Sequence, residues 1–154
     1  TLFRSYAIHK EMGEWMTDYC TVIRDAEGMD KLYAQLRTWK QRYEKVSLSD
    51  TGMWTNQNLS FTRALGDMIK YAEAIVVAAI ERKESRGSHY RPDFPDRDDA
   101  RFLKTTLAYY HVGDDSVKLE YEDVPQVMVQ PRVRSYGKVE TEEEEDEKVE
   151  AAAK

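Results

Sequence analysis

Residues 29–46 read MDKLYAQLRTWKQRYEKV, and the spacing within them decides the fold. Met29, Leu32, Leu36, Trp39, Tyr43 and Val46 alternate at intervals of three and four, with Lys, Arg and Gln between them. That is a heptad stripe on one face of a helix, and it predicts a helix over 29–46. Upstream, Ile8, Met12, Trp15 and Tyr19 share one face of a helix expected over 2–20, with a β-branched exit at Thr21, Val22 and Ile23 before a turn at Asp25 to Gly28. Downstream, the polar stretch 47–58 carries the turn formers Ser49, Asp50, Thr51 and Gly52. A third helix is expected over 58–86. Its stripe is Phe61, Leu65, Met68, Ala72, Ile75 and Ala79, widened by Ile69, Val76 and Ile80. The run AIVVAAI is apolar almost all round, so more than one of its faces should be covered. Gly87 suits a left-handed cap at the end of this helix, and Arg82, Lys83 and Arg86 suit its negative pole.

Three such helices with short connections predict a mainly α fold, an antiparallel, spectrin-repeat-like three-helix bundle. A short helix near 98–103 follows. Strands at 105–112 and 117–121 flank a turn at Gly113 to Asp115, giving a small β-hairpin, and 126–129 suggests a further extended piece. The hairpin region is too small to stand alone and must pack on the bundle or on a neighbouring domain. The domain is drawn over 1–139, with an acidic tail over 140–154.

That tail accounts for the charge. The net charge is −6, and the stretch from Glu140 holds eight acidic and two basic residues, which leaves 21 of each sign in the first 139. A neutral body draws neither nucleic acid nor anionic lipid, and no nucleic-acid partner is expected. The tail reads as a solvated, solubilising terminus. No apolar run approaches the roughly 20 residues of a membrane span. The single Cys20 forms no internal disulfide and fits a reducing setting. The sequence opens on Thr1 with no charged-then-apolar leader, so it is read as a piece or processed product of a longer one.

Candidate chemistry gathers at 81–99, ERKESRGSHYRPDFPDRDD, where 11 of 19 residues are charged. Ser85 and His89 lie four apart with Asp93 and Asp96 nearby, yet no strained nucleophile turn accompanies them, and capping or surface hydrogen bonding is the ordinary reading. His9, His89, His111 and Cys20 lack ligand spacing. The aspartates lack the rhythm of a calcium loop and have Arg91 and Arg97 as competing partners. No glycine-rich phosphate loop is present. Trp15 and Trp39 belong to apolar stripes. Trp54 sits in a polar connection, either as an anchor for another domain or packed on its own helix ends. The arginines Arg82, Arg86, Arg91 and Arg97, with their carboxylates, make either a self-contained network or a fixed interface, and Pro92 and Pro95 favour the interface.

The string from Arg82 to Asp99 closely resembles the C-terminal signature of the succinate dehydrogenase and fumarate reductase flavoprotein subunits, R-x-E-S-R-G-x-H-x-R-x-D-[FY]-P-x-R-D-D. Leu103-Lys-Thr-Thr-Leu-Ala108, His9-Lys-Glu-Met-Gly-Glu-Trp-Met16 and Trp54-Thr-Asn-Gln57 extend the resemblance over about residues 2–136, in the variant found in Bacillus-type enzymes with a single-subunit diheme cytochrome b anchor. L-Aspartate oxidase shares part of the signature, but not the downstream match. The resemblance implies an intact subunit that oxidises succinate to fumarate on covalently bound FAD. Electrons would then pass through an iron–sulfur subunit to quinone, at the cytoplasmic side of the membrane.

No catalytic, cofactor or metal residue carries over, because the segments that hold them are absent. Glu84, Ser85, Arg86, Gly87, His89, Arg91, Asp93, Pro95, Arg97, Asp98 and Asp99 match the signature. Together with Trp54, Arg82 and Tyr90, the polar and charged members of that set are the expected contacts to the flavin domain of the same subunit or to the iron–sulfur subunit. The membrane anchor would be reached only indirectly. The chain alone is expected to be inactive. A stand-alone helical interaction module, or the same domain of a fumarate reductase, is the alternative.

Overall fold

The structure, a computed structural model, describes residues 5–48 and 50–125. The extended piece at 126–129, the basic stretch 131–138 and the acidic tail 140–154 lie outside the described residues. Helix α1 spans Ser5–Cys20, α2 Ala26–Tyr43 and α3 Gln57–Glu81. A one-turn helix α4, Asp99–Phe102, leads into strands β1, Lys104–His111, and β2, Ser116–Asp123. All three long helices pack on one another, and the hairpin lies against α3. None of the described helices is long and apolar enough to cross a membrane.

The expected stripe of α2 forms the centre of the core: Met29, Leu32, Leu36 and Trp39 are buried. The helix begins three residues before the expected start, because the Asp25 side chain accepts from the Gly28 N–H at 2.8 Å and caps it. It ends at Tyr43, three residues short of the expected limit, although Val46 still packs against the core. From α1, Ile8, Met12 and Cys20 are buried, while Trp15 and Tyr19 lie at the margin. The Trp15 and Trp39 rings meet edge to face with centroids 6.0 Å apart.

Helix α3 is rotated from the expectation. Its buried line is Leu65, Ile69, Ala72, Val76 and Ala79, whereas Met68 and Ile75 of the strict heptad are exposed. The residues expected to widen the stripe are its middle, since α1 and α2 claim one side of α3 and the hairpin another. Coverage of more than one face of AIVVAAI is therefore borne out. Gly66 lets α2 approach closely: a Cβ there would sit 2.6 Å from the Tyr43 hydroxyl.

Helix α3 also stops at Glu81, five residues before the expected end. Arg82 is extended, and Gly87, with φ +58°, is a left-handed residue inside a tight turn rather than a helix cap. The turn is closed by paired backbone bonds, Arg86 N–H to His89 O at 2.8 Å and His89 N–H to Arg86 O at 3.0 Å. Arg91, not Arg82, Lys83 or Arg86, serves the carbonyls at the end of α3. Its Nη1 donates to Ala79 O at 3.1 Å and Ile80 O at 3.3 Å.

The hairpin runs antiparallel in a register from Lys104↔Asp123 to His111↔Ser116; β1 is shifted one residue toward the N-terminus from its expected range, and β2 extends one residue before and two beyond its own. Its tip is held by a polar cluster that the sequence reading did not identify. Lys40 of α2 donates to Glu73 of α3 at 2.7 Å and to the Asp115 carbonyl at 3.1 Å. The Tyr110 hydroxyl donates to the Asp115 carboxylate, and Lys40 and Lys70 both lie over the Tyr110 ring. Glu73 is buried. A lone carboxylate in the apolar run 72–80 requires a cationic partner, and that was the available signal.

Candidate functional site

Residues 82–98 form a loop over the end of the bundle where α1 finishes, α2 starts and α3 finishes. Its centre is Glu84, which is 0 % exposed. One carboxylate oxygen accepts from Arg82 Nη1 at 2.6 Å and Arg86 Nε at 2.8 Å. The other accepts from Arg86 Nη2 at 2.9 Å and the Asp98 N–H at 2.8 Å. Four donors fill the carboxylate's acceptor sites. Burial pushes the Glu84 carboxyl up, but the bonds from Arg86, Asp98 and Arg82 outweigh it and hold the group below its ordinary value.

The network spreads outward from there. Arg86 Nη2 also donates to Asp99 at 2.5 Å, and Arg97 Nη2 donates to the other Asp99 oxygen at 2.7 Å. Arg82 continues to Phe102 O at 2.9 Å, Lys104 O at 3.1 Å and Thr106 Oγ1 at 3.0 Å, tying the loop to α4 and β1. Arg91, 2 % exposed, clamps Asp93 with two bonds of 2.8 and 2.5 Å. Asp98 caps α4 by accepting from the Arg101 N–H at 3.0 Å.

Ser85 and His89 do not meet as a catalytic pair. The Ser85 hydroxyl accepts from the Arg91 N–H at 2.8 Å and donates to Phe94 O at 2.8 Å, so it serves the main chain. His89 Nε2 lies 3.1 Å from the Arg82 carbonyl and must carry the proton, while Nδ1 accepts from Arg24 Nη1 at 2.7 Å. The ring is thus held neutral in one tautomer. Burial first, then the charges of Arg24, Arg91 and Arg82, hold its pKa below 6.5.

This geometry sets two pH windows. The folded pKa of His89 is depressed, so its contribution to stability is complete above about pH 6.5 and falls as acid protonates the unfolded chain first. Glu84, Asp93 and Asp99 are also held below their ordinary values, and their contribution is lost only as pH falls below about 4. Urea midpoints measured between pH 7.5 and about 2.5 should therefore fall in two steps. His89→Gln should remove the first and keep the second; a first step that persists in the variant refutes the assignment.

No cluster able to hold a metal ion occurs among the described residues. The loop does not fit a flavin diphosphate either, because Arg82, Arg86 and Arg91 are committed to carboxylates and main-chain carbonyls. What the arrangement can do is hold a shaped surface rigidly. Tyr90 and Phe94 stand partly exposed on it.

Eleven of the twelve expected contact residues are thus brought together at this end. Trp54 is not among them. It lies in the α2–α3 connection, at the other end of an α3 about 37 Å long, and is 91 % exposed. Packing against its own helix ends is therefore excluded.

The family described as fumarate reductase flavoprotein C-term matches residues 9–136. This chain belongs to that family. A succinate dehydrogenase flavoprotein subunit of Bacillus subtilis is 40 % identical over 134 residues, 87 % of this chain and 23 % of the relative. A fumarate reductase flavoprotein subunit of Haemophilus influenzae is 39 % identical over 147 residues, 96 % of this chain and 23 % of the relative. Among solved structures, a quinol fumarate reductase of Escherichia coli superposes with a TM-score of 0.79 at 35 % identity, covering 86 % of this chain and 23 % of that one. The flavoprotein C-terminal family thus accounts for the loop, the bundle and the hairpin, and favours a domain of a flavoprotein over a stand-alone module. The chain spans about a quarter of the length of these relatives.

Proposed function

We propose that this chain is the C-terminal helical domain of a flavoprotein subunit that oxidises succinate to fumarate on FAD. Electrons then leave through an iron–sulfur subunit to quinone, in a complex on the cytoplasmic side of the membrane. The observation that carries the reading is the match to the family over residues 9–136 together with 40 % identity to a succinate dehydrogenase subunit. In this reading the domain supplies no reacting group. Its loop is a preorganised contact surface toward the flavin domain or the iron–sulfur subunit, with Trp54 as a separate anchor.

The test is succinate-dependent reduction of an artificial acceptor, measured on the whole subunit and on this chain. Turnover and flavin are expected in the first alone; flavin binding or succinate oxidation by this chain overturns the proposal. Fumarate reductase is the second reading, supported by 39 % identity to the Haemophilus influenzae subunit. The ratio of the forward and reverse rates separates the two.

Trp54→Ala tests the anchor. Its side chain is 91 % exposed, so the stability of the chain should change by no more than about 0.5 kcal/mol. Assembly of the complex, followed by co-purification, should weaken at least tenfold; unchanged assembly refutes the anchor role.

A further inference from the structure

The loop's arginines turn inward, and beside them an apolar pair is left exposed. Arg24 N–H donates to Tyr90 O at 2.9 Å and Tyr90 N–H to Val22 O at 3.0 Å, so the exit from α1 and the loop form a short parallel ribbon in which Ile23 is paired with Tyr90. Paired residues send their side chains to the same face. Ile23 is 61 % exposed, Val22 54 % and Tyr90 43 %. Single exposed apolar residues are ordinary, but an isoleucine and a tyrosine locked side by side by backbone bonds are a built patch. The surrounding guanidiniums of Arg24, Arg86 and Arg91 are occupied by His89, by Glu84 and Asp99, and by Asp93. They are thus poorly placed to steer a charged partner.

We propose that the Ile23–Tyr90 pair is the seat of the flavin-bearing part of the same polypeptide. The arginine network is its internal brace. The inference rests on the proposed function and deepens it by naming the partner and the contact residues. An apolar patch ringed by satisfied charges has the character of a permanent interface, a core cut in two, rather than of an encounter between separate subunits. The relatives supply the occupant: this chain covers 23 % of their length, so most of a subunit's polypeptide is available to bury the patch.

The experiment places a cysteine at the patch, Ile23→Cys, in a Cys20→Ala background, and follows alkylation by a maleimide. Circular dichroism of the variant chain verifies folding, and Tyr90→Cys serves as a second probe if Ile23→Cys disturbs it. Labelling should be fast in this chain alone and at least tenfold slower in the whole flavoprotein subunit without its iron–sulfur partner. Three results overturn the proposal: equal rates in chain and subunit, protection that arrives only with the iron–sulfur subunit, or protection in the isolated chain that grows with its concentration. The readout needs no turnover. Loss of succinate oxidation with protection intact therefore indicts the functional reading, and lost protection with turnover intact indicts the seat.

Discussion

Glu84→Ala is expected to destabilise the chain by about 3–5 kcal/mol, the usual cost of removing one partner from a buried ionic network. The wild-type carboxylate receives four hydrogen bonds from Arg82, Arg86 and the Asp98 backbone and has no exposure of its own. Its removal leaves Arg82 and Arg86 facing each other across a space that water fills poorly. It also releases the end of the loop that leads into α4. Glu84→Gln keeps the shape and one acceptor, so it should cost about half as much. Urea unfolding at pH 7 measures both. A loss below about 1 kcal/mol for Glu84→Ala shows that the two arginines simply turn out to solvent, and the network is then not a brace. Arg86→Ala should be milder than Glu84→Ala, since Arg82 and the Asp98 N–H still serve Glu84.

Trp39→Ala should cost a similar amount, about 3–5 kcal/mol, for a different reason. Trp39 is fully buried, meets the Trp15 ring and donates its Nε1–H to Glu11 at 3.2 Å. Arg42 grips the same Glu11 with a bond of 2.9 Å from Nη2. Truncation leaves a cavity where α1, α2 and α3 converge, and that loss is independent of pH between 5 and 8. Trp39→Phe should recover most of the packing, leaving a deficit of about 1–2 kcal/mol. The contrast between the two sites is the informative part. Acid should erode the advantage of wild type over Glu84→Ala as the carboxylate protonates, whereas the advantage over Trp39→Ala should persist.

Much of this molecule was legible before any coordinates. The alternation of Met29, Leu32, Leu36 and Trp39 is periodic and local, and a helix needs nothing else to choose its inner face. The hairpin was legible for a related reason, since Gly113 to Asp115 breaks two β-rich runs. Its strands formed within two residues of their expected limits.

The third helix was less legible. Met68 and Ile75 fit a heptad as well as Ile69 and Val76 do, and the choice between two overlapping stripes belongs to whatever packs on them. The end of α3 was misplaced because Gly87 looks like a cap from sequence. The carbonyls of Ala79 and Ile80 instead find a donor twelve and eleven residues away in Arg91.

The same division holds for the site. Sequence alone identified the family signature and the neutral body, because each is a matter of residue identity and near spacing. Which charges face inward was decided only by tertiary structure. A carboxylate at 84 becomes buried, and a histidine at 89 neutral, through partners brought from 24, 82, 86 and 98 when the helix ends converge. Charge in a sequence has no direction. Burial and hydrogen bonding give it one, turning the arginines of the loop inward and leaving Ile23 and Tyr90 outside.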